Sequence, residues 1–317
     1  MIANEGNVVA LAGGVGGAKL AHGLALTGLN ERLSVIVNTA DDFELFGLHI
    51  SPDLDTVLYT LGGIANPETG WGIAGDTFAT LKAIGRLGRD TWFWLGDQDF
   101  ATHVLRTERL RDGASLTAVT AELANALQVR AAILPMCDES VATLIETSAG
   151  LLDFQSYFVR RQHADAVRSV RFSGIENAVP STEIKQAIEQ ASVIVLCPSN
   201  PIVSIGPILT LPGVRAMLCD TDVPVVAVSP IIAGQALKGP ADQMLAALGH
   251  DVSAVGVAAI YQDFLSGIII DEQDAALALP IEQLGIAVHV TGTIMRNEAD
   301  RQRLAEETLE FADWLRR

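Results

Sequence analysis

The chain has 317 residues and a formal charge of −17, with 49% hydrophobic and 19% charged residues. That balance supplies a full core and excludes a disordered chain. The negative surplus argues against nucleic acid or an anionic membrane as a partner.

Short apolar runs at residues 7–11, 33–37, 91–95, 131–134, 193–197, 224–228, 254–259 and 286–290 predict strands. They are continuously apolar, as in a parallel sheet buried on both faces. Helical patterns lie between many of them, at 18–26, 77–86, 101–110, 116–127, 182–190 and 241–248. Residues 299–317 form an amphipathic closing helix, with Leu304, Thr308, Phe311 and Leu315 on one face. The alternation predicts an α/β, Rossmann-like, mostly parallel sheet with helices on both faces. Segments 154–158 and 167–172 alternate polar and apolar residues. They predict a small inserted α+β or edge-sheet subdomain over 138–180, within a core of 1–137 and 181–317. Residues 1–5 lack a basic region, no apolar run reaches membrane-spanning length, and Cys137, Cys197 and Cys219 show no metal-ligand spacing. A reduced, cytoplasmic protein is expected.

The unusual polar residues all follow predicted strands, on the rim where open α/β sheets bind ligands. After the first strand comes Gly13-Gly14-Val15-Gly16-Gly17-Ala18-Lys19. It fits neither common phosphate fingerprint: Lys19 stands where a dinucleotide loop has its third glycine, and Leu20 where a P-loop has its Ser or Thr. It reads either as a tight strand-to-helix turn or as a backbone cradle for phosphate at a helix N-terminus. A metal would have to be held elsewhere.

After the second strand come Asn38-Thr39-Ala40-Asp41-Asp42 and Ser51-Pro52-Asp53-Leu54-Asp55-Thr56. Ser51 and Pro52 suit a helix start, with Asp53 favouring the helix dipole and the other acids solvated. Alternatively, the crowded carboxylates hold a divalent cation such as Mg²⁺. Gly96-Asp97-Gln98-Asp99 leads into a helix that places His103 on the same face as Asp99. Ser199, Asn200, Ser204 and Gly206 surround a Pro-rich turn suited to phosphate or base recognition, or to ordinary turn chemistry. Lys238 offers a phosphate counter-charge. Trp92 and Trp94, on a predicted strand, read as packing residues rather than a stacking platform.

These blocks, through Ser229-Pro230 and Lys238-Gly239-Pro240, follow one another in the order found in the 2-phospho-L-lactate transferase family of coenzyme F420 biosynthesis, which the chain resembles from its N-terminus to about residue 245. The resemblance implies a Mg²⁺-dependent transferase, commonly a homodimer. The donor is a guanosine diphosphate carrying phospholactate, phosphoenolpyruvate or phosphoglycerate as its acid. The acceptor is the terminal ribityl hydroxyl of the deazaflavin Fo, and GMP is released. On this reading Asp41, Asp42 and Asp53 are catalytic, with Asp55 joining them around the metal. Gly13, Gly14, Gly16, Gly17, Lys19, Ser199, Asn200, Ser204, Gly206 and Lys238 bind the donor. Asn38, Thr39, Asp55, Thr56, Asp97, Asp99 and His103 face the acceptor. Two rivals stand: a non-catalytic nucleotide-sugar-binding regulator with a similar glycine loop, and a nicotinamide-dependent dehydrogenase, which the broken dinucleotide fingerprint disfavours.

Overall fold

The computed structural model describes residues 6–317. The reading of residues 1–5 lies outside the described residues. Seven strands form the central sheet: β1 Val8–Ala12, β2 Leu33–Val37, β3 Ala132–Pro135, β4 Val193–Leu196, β5 Val225–Val228, β6 Gly267–Asp271 and β7 Ala287–Thr291. Their order is β7-β6-β5-β4-β1-β2-β3, and every neighbouring pair is parallel. The chain leaves β1 toward β2 on one side and returns at β4 on the other. That reversal opens a crevice at the carboxyl ends of β1 and β4.

Alternate residues of each central strand feed separate cores. Val9 and Leu11 of β1 join Ile194 and Leu196 of β4 on one face. Val8, Ala10 and Ala12 join Val193 and Val195 on the other. Both faces are therefore dry, which is why the strands read as unbroken apolar runs. Helix α1 (Gly14–Leu24) follows β1, and α2 (Pro52–Leu61) follows the acidic segment. Helix α3 (Asp97–Arg111) carries Asp99 and His103, and α4 (Glu298–Leu315) closes the chain. α4 buries Leu304, Thr308 and Phe311, as its periodicity requires. It packs so closely on α1 that a Cβ on Gly23 would stand 2.2 Å from the Arg301 carbonyl oxygen.

Three local expectations need correction. Residues 91–95 form no strand; they run as an irregular aromatic segment with only Leu95 buried. Residues 254–259 are helical, within Ala254–Ile260, because the Ser253 hydroxyl accepts the N–H groups of Val255 (3.1 Å) and Gly256 (3.2 Å). The strand that completes this side of the sheet is β6, the Gly-Ile-Ile-Ile-Asp run. Finally, 154–158 is a helical turn. The antiparallel sheet in this part of the chain is built from Ala142–Thr147, Gly150–Asp153 and Val167–Ser173, with the first in the middle. Among the described residues, no helix is long and apolar enough to cross a membrane.

Candidate active site

A cavity of about 980 Å³ opens over the β1/β4 crevice. The glycine segment forms one wall. Gly13 is extended at the helix N-cap, and Gly14 takes a positive φ of 61°. A Cβ on Gly16 would lie 2.2 Å from the Pro198 carbonyl oxygen, and one on Gly17 would lie 2.5 Å from Ser199 Oγ. These two glycines let α1 begin hard against the turn after β4. Ser199 ties the two together, accepting from Gly13 N–H (3.1 Å) and donating to Gly13 O (2.8 Å). Gly14, Val15 and Gly16, in the first turn of α1, line the cavity, where a helix N-terminus favours an anion.

Lys19 and Lys238 line the same wall. Lys19 Nζ donates to Met295 O at 2.9 Å, and Lys238 Nζ to Thr69 O at 2.8 Å. Burial lowers the Lys19 pKa, and the charges of Arg301 and Lys238 lower it further. Cations crowd together here in a protein whose net charge is strongly negative.

The cavity floor is acidic and divides into two groups. In the first, the Asn38 carbonyl oxygen accepts Ala40 N–H (3.0 Å), which fixes the amide's orientation. Its NH₂ then donates to both Asp41 Oδ2 (3.1 Å) and Asp53 Oδ2 (3.0 Å). Gly14 N–H donates to Asp53 Oδ1 (2.8 Å). Among the described residues, no side-chain cation pairs with Asp41 or Asp53. Burial pushes the Asp53 carboxyl up to about 6 against the opposing pull of those hydrogen bonds. Asp41 is raised well above the usual carboxylate range, first by burial and then by the charge of Asp53. Among the described residues Asp41 Oδ1 has no partner at full hydrogen-bond geometry, although the Thr143 hydroxyl nearby favours its ionised form.

The second group is charge-compensated. Arg106 is fully buried and holds Asp55 with both terminal nitrogens, NH1 at 3.1 Å from Oδ2 and NH2 in close contact with Oδ1. His103 Nε2 lies 3.2 Å from Asp99 Oδ1, outside hydrogen-bond geometry, and that oxygen accepts from Tyr59 OH at 2.7 Å. Ligand atoms of Asp55, Asp99 and His103 lie within 4.8 Å of one another, a spacing a cation could bridge. Arg106 already supplies positive charge there.

A match to the family described as "2-phospho-L-lactate transferase CofD" spans residues 8–302. The chain belongs to the 2-phospho-L-lactate transferase family. A 2-phospho-L-lactate transferase of Methanosarcina mazei is 42% identical over 299 residues, covering 94% of this chain and 98% of the relative. A phosphoenolpyruvate transferase of Streptomyces griseus is 40% identical over 315 residues, covering 98% and 99%. The crystal structure of a upf0052 family member from Bacillus halodurans aligns with a TM-score of 0.64 at 16% identity, over 96% of this chain and 99% of that one. It shares the fold.

In this family member the structure gathers most of the sequence-predicted residues around one cavity and turns a few away. Thr56 and Ser204 line it, as do Asn200 and Ser199. Asn38 lies beneath it, working through Asp41 and Asp53. Asp42 turns from the cavity to accept from Ser51 Oγ (2.6 Å) and face His49 Nε2 (3.1 Å). The Ser51 side chain therefore serves Asp42 and does not cap α2. Thr39 contacts Cys137, with 4.0 Å between Oγ1 and Sγ. Gly206 packs under Phe172, outside the cavity lining. Asp97 accepts from Ala79 N–H (3.0 Å) and Thr80 N–H (2.8 Å), while Asp76 accepts from Gln98 N–H (2.9 Å) and Asp99 N–H (3.1 Å). The two acids thus cap each other's helices, and the bonds from Thr77 and Thr80 hold the Asp97 carboxyl below its ordinary range.

Sequence reasoning missed Tyr59, Arg106 and the aromatic walls. Arg106 follows His103 by three positions and Asp99 by seven, and Tyr59 follows Asp55 by four. Helical spacing alone carried that signal. Trp94 is 55% exposed and lines the cavity beside Phe93, with Trp71 also on the lining. The packing role expected of Trp94 is corrected, because its segment is not a strand.

Proposed function

We propose that the chain moves a phospho-acid group from a guanosine-diphosphate-linked donor to the terminal ribityl hydroxyl of the deazaflavin Fo, releasing GMP, in coenzyme F420 biosynthesis. The observation that carries this reading is the Asp41–Asn38–Asp53 bridge, tied directly to the glycine loop through Gly14 N–H. It joins a phosphate cradle to a cation-seeking carboxylate pair. The acid is phospholactate, phosphoenolpyruvate or phosphoglycerate; relatives bearing the first two names match at similar identity.

Mg²⁺ fits the residues present. Two buried carboxylates share one amide donor, both are destabilised in their charged form, and Asp41 Oδ1 has no partner at full hydrogen-bond geometry among the described residues. Asp41 and Asp53 would hold the ion. Bound there, it supplies charge neutralisation for the diphosphate and acidifies a hydroxyl. The chain does the rest by positioning. The first-turn amides of α1 after Gly14, whose own N–H serves Asp53, receive phosphate oxygens, and Lys19 and Lys238 offset their charge. Asp55 and Asp99 accept from acceptor hydroxyls, and Phe93 and Trp94 flank the deazaflavin rings. The acceptor oxygen bonds to the distal phosphorus, the bond from that phosphorus to GMP breaks, and the hydroxyl proton passes to solvent.

The test is incubation of purified protein with Mg²⁺, Fo and each of the three donors, following GMP by chromatography and product mass by spectrometry. GMP and a deazaflavin phosphodiester from at least one donor are expected. No product from any donor would refute the reading.

A further inference from the structure

The buried Arg106 does more than neutralise a carboxylate. Its NH1 group carries two hydrogens. One lies toward Asp55 Oδ2 at 3.1 Å, the other toward His103 Nδ1 at 3.4 Å. A guanidinium only donates, so His103 Nδ1 must accept. The alternative of Nδ1–H donating to Asp55 is poorly served, since that nitrogen stands 3.6 Å from Oδ2. The ring proton therefore belongs on Nε2, which lies 3.2 Å from Asp99 Oδ1 but outside hydrogen-bond geometry. Asp99 already receives Tyr59 OH.

We propose that Arg106 is a positioning residue that locks His103 as its neutral, Nε2-protonated tautomer. It also fixes Asp55 as a rigid acceptor. Arg106 donates to Asp55 and to His103 Nδ1, and Tyr59 donates to Asp99, while His103 Nε2 and Arg106 Nε make no hydrogen bond among the described residues. Both acids line the cavity, where carboxylate oxygens accept. A ligand reaching this end of the cavity must then bring donors of its own, as an alcohol chain does.

The spectroscopic arm stands on its own, and the kinetic arm rests on the proposed transferase activity. In the full-length protein labelled with ¹⁵N, long-range ¹H–¹⁵N correlation spectra of the six histidines identify His103 by its loss in His103→Gln. The wild-type ring is expected to show the Nε2–H pattern, and Arg106→Met, which has no donor for Nδ1, to lose it. A wild-type ring protonated on Nδ1 or on both nitrogens would overturn the proposal, whether or not the variants fold. So would an unchanged pattern in folded Arg106→Met. In steady-state assays Arg106→Lys is expected to raise the acceptor KM about tenfold with donor KM unchanged, and to add less than twofold in an Asp55→Asn background. Independent, multiplying effects would overturn the route through Asp55. Absence of transfer activity in the wild type would refute the assigned reaction and leave the tautomer measurement to decide.

Discussion

The two halves of the acidic floor obey opposite electrostatic rules. Asp55 and Asp99 sit in a network closed by Arg106, His103 and Tyr59. Asp41 and Asp53 share one neutral amide and pair with no side-chain cation among the described residues. A buried charge that is paired contributes to the fold and is costly to unpair. A buried charge left unpaired strains the fold until a ligand arrives. The first half is built for shape, the second for chemistry.

Substitutions should separate the halves. Arg106→Met leaves Asp55 buried and unpaired, and should cost about 3–5 kcal/mol in chemical denaturation. A loss below about 1 kcal/mol would show that Asp55 is not held by Arg106 alone. Asp53→Asn should lower kcat by about 100-fold or more while the metal-free variant melts at or above the wild-type temperature. A lower melting temperature with full turnover would invert the contrast between the halves.

The same substitution gives a pH test. The folded carboxyl of Asp53 titrates at about 6, above the ordinary value near 4. Its favourable contribution is complete below the unfolded value and is lost as pH rises through the folded one. Metal-free wild type should therefore lose stability relative to Asp53→Asn between about pH 4 and 7. Saturating Mg²⁺ should close the gap at the upper end. A pH-independent difference would place the strain elsewhere.

Gly16→Ala drives a Cβ to 2.2 Å from the Pro198 carbonyl, so α1 must back away from the turn after β4. Donor KM should rise more than acceptor KM, and equal rises would detach the glycine loop from the donor. The smallest effect is expected at Trp94, half-exposed on the cavity wall. Trp94→Ala should weaken acceptor binding by about 1 kcal/mol, roughly fivefold in KM, with melting unchanged.

Much of this was legible in one dimension, for definite reasons. Strands buried on both faces must be continuously apolar, so β1, β2, β4 and β5 stood out. The glycine segment and the two acid blocks stood out because their residue types are rare at strand ends. The run 254–259 misled because Val255 and Val257 favour strands locally, while Ser253 capping decided for helix. Residues 91–95 misled because aromatic residues suit a strand and a ligand wall equally.

The partners were not legible. From sequence, Asp41, Asp42, Asp53 and Asp55 all belong to one metal site, with Asp55 set apart by also facing the acceptor. Only the folded chain gives Asp42 to Ser51 and His49, Asp55 to Arg106, and leaves Asp41 and Asp53 to share Asn38. The sequence by itself determined the Rossmann-like sheet, the rim where ligands bind and the transferase family, because periodicity and local residue chemistry are properties of the chain. Tertiary structure alone decided which acids are neutralised, because a carboxylate's charge state depends on what lies within a few ångströms, and Arg106 lies fifty-one residues from Asp55.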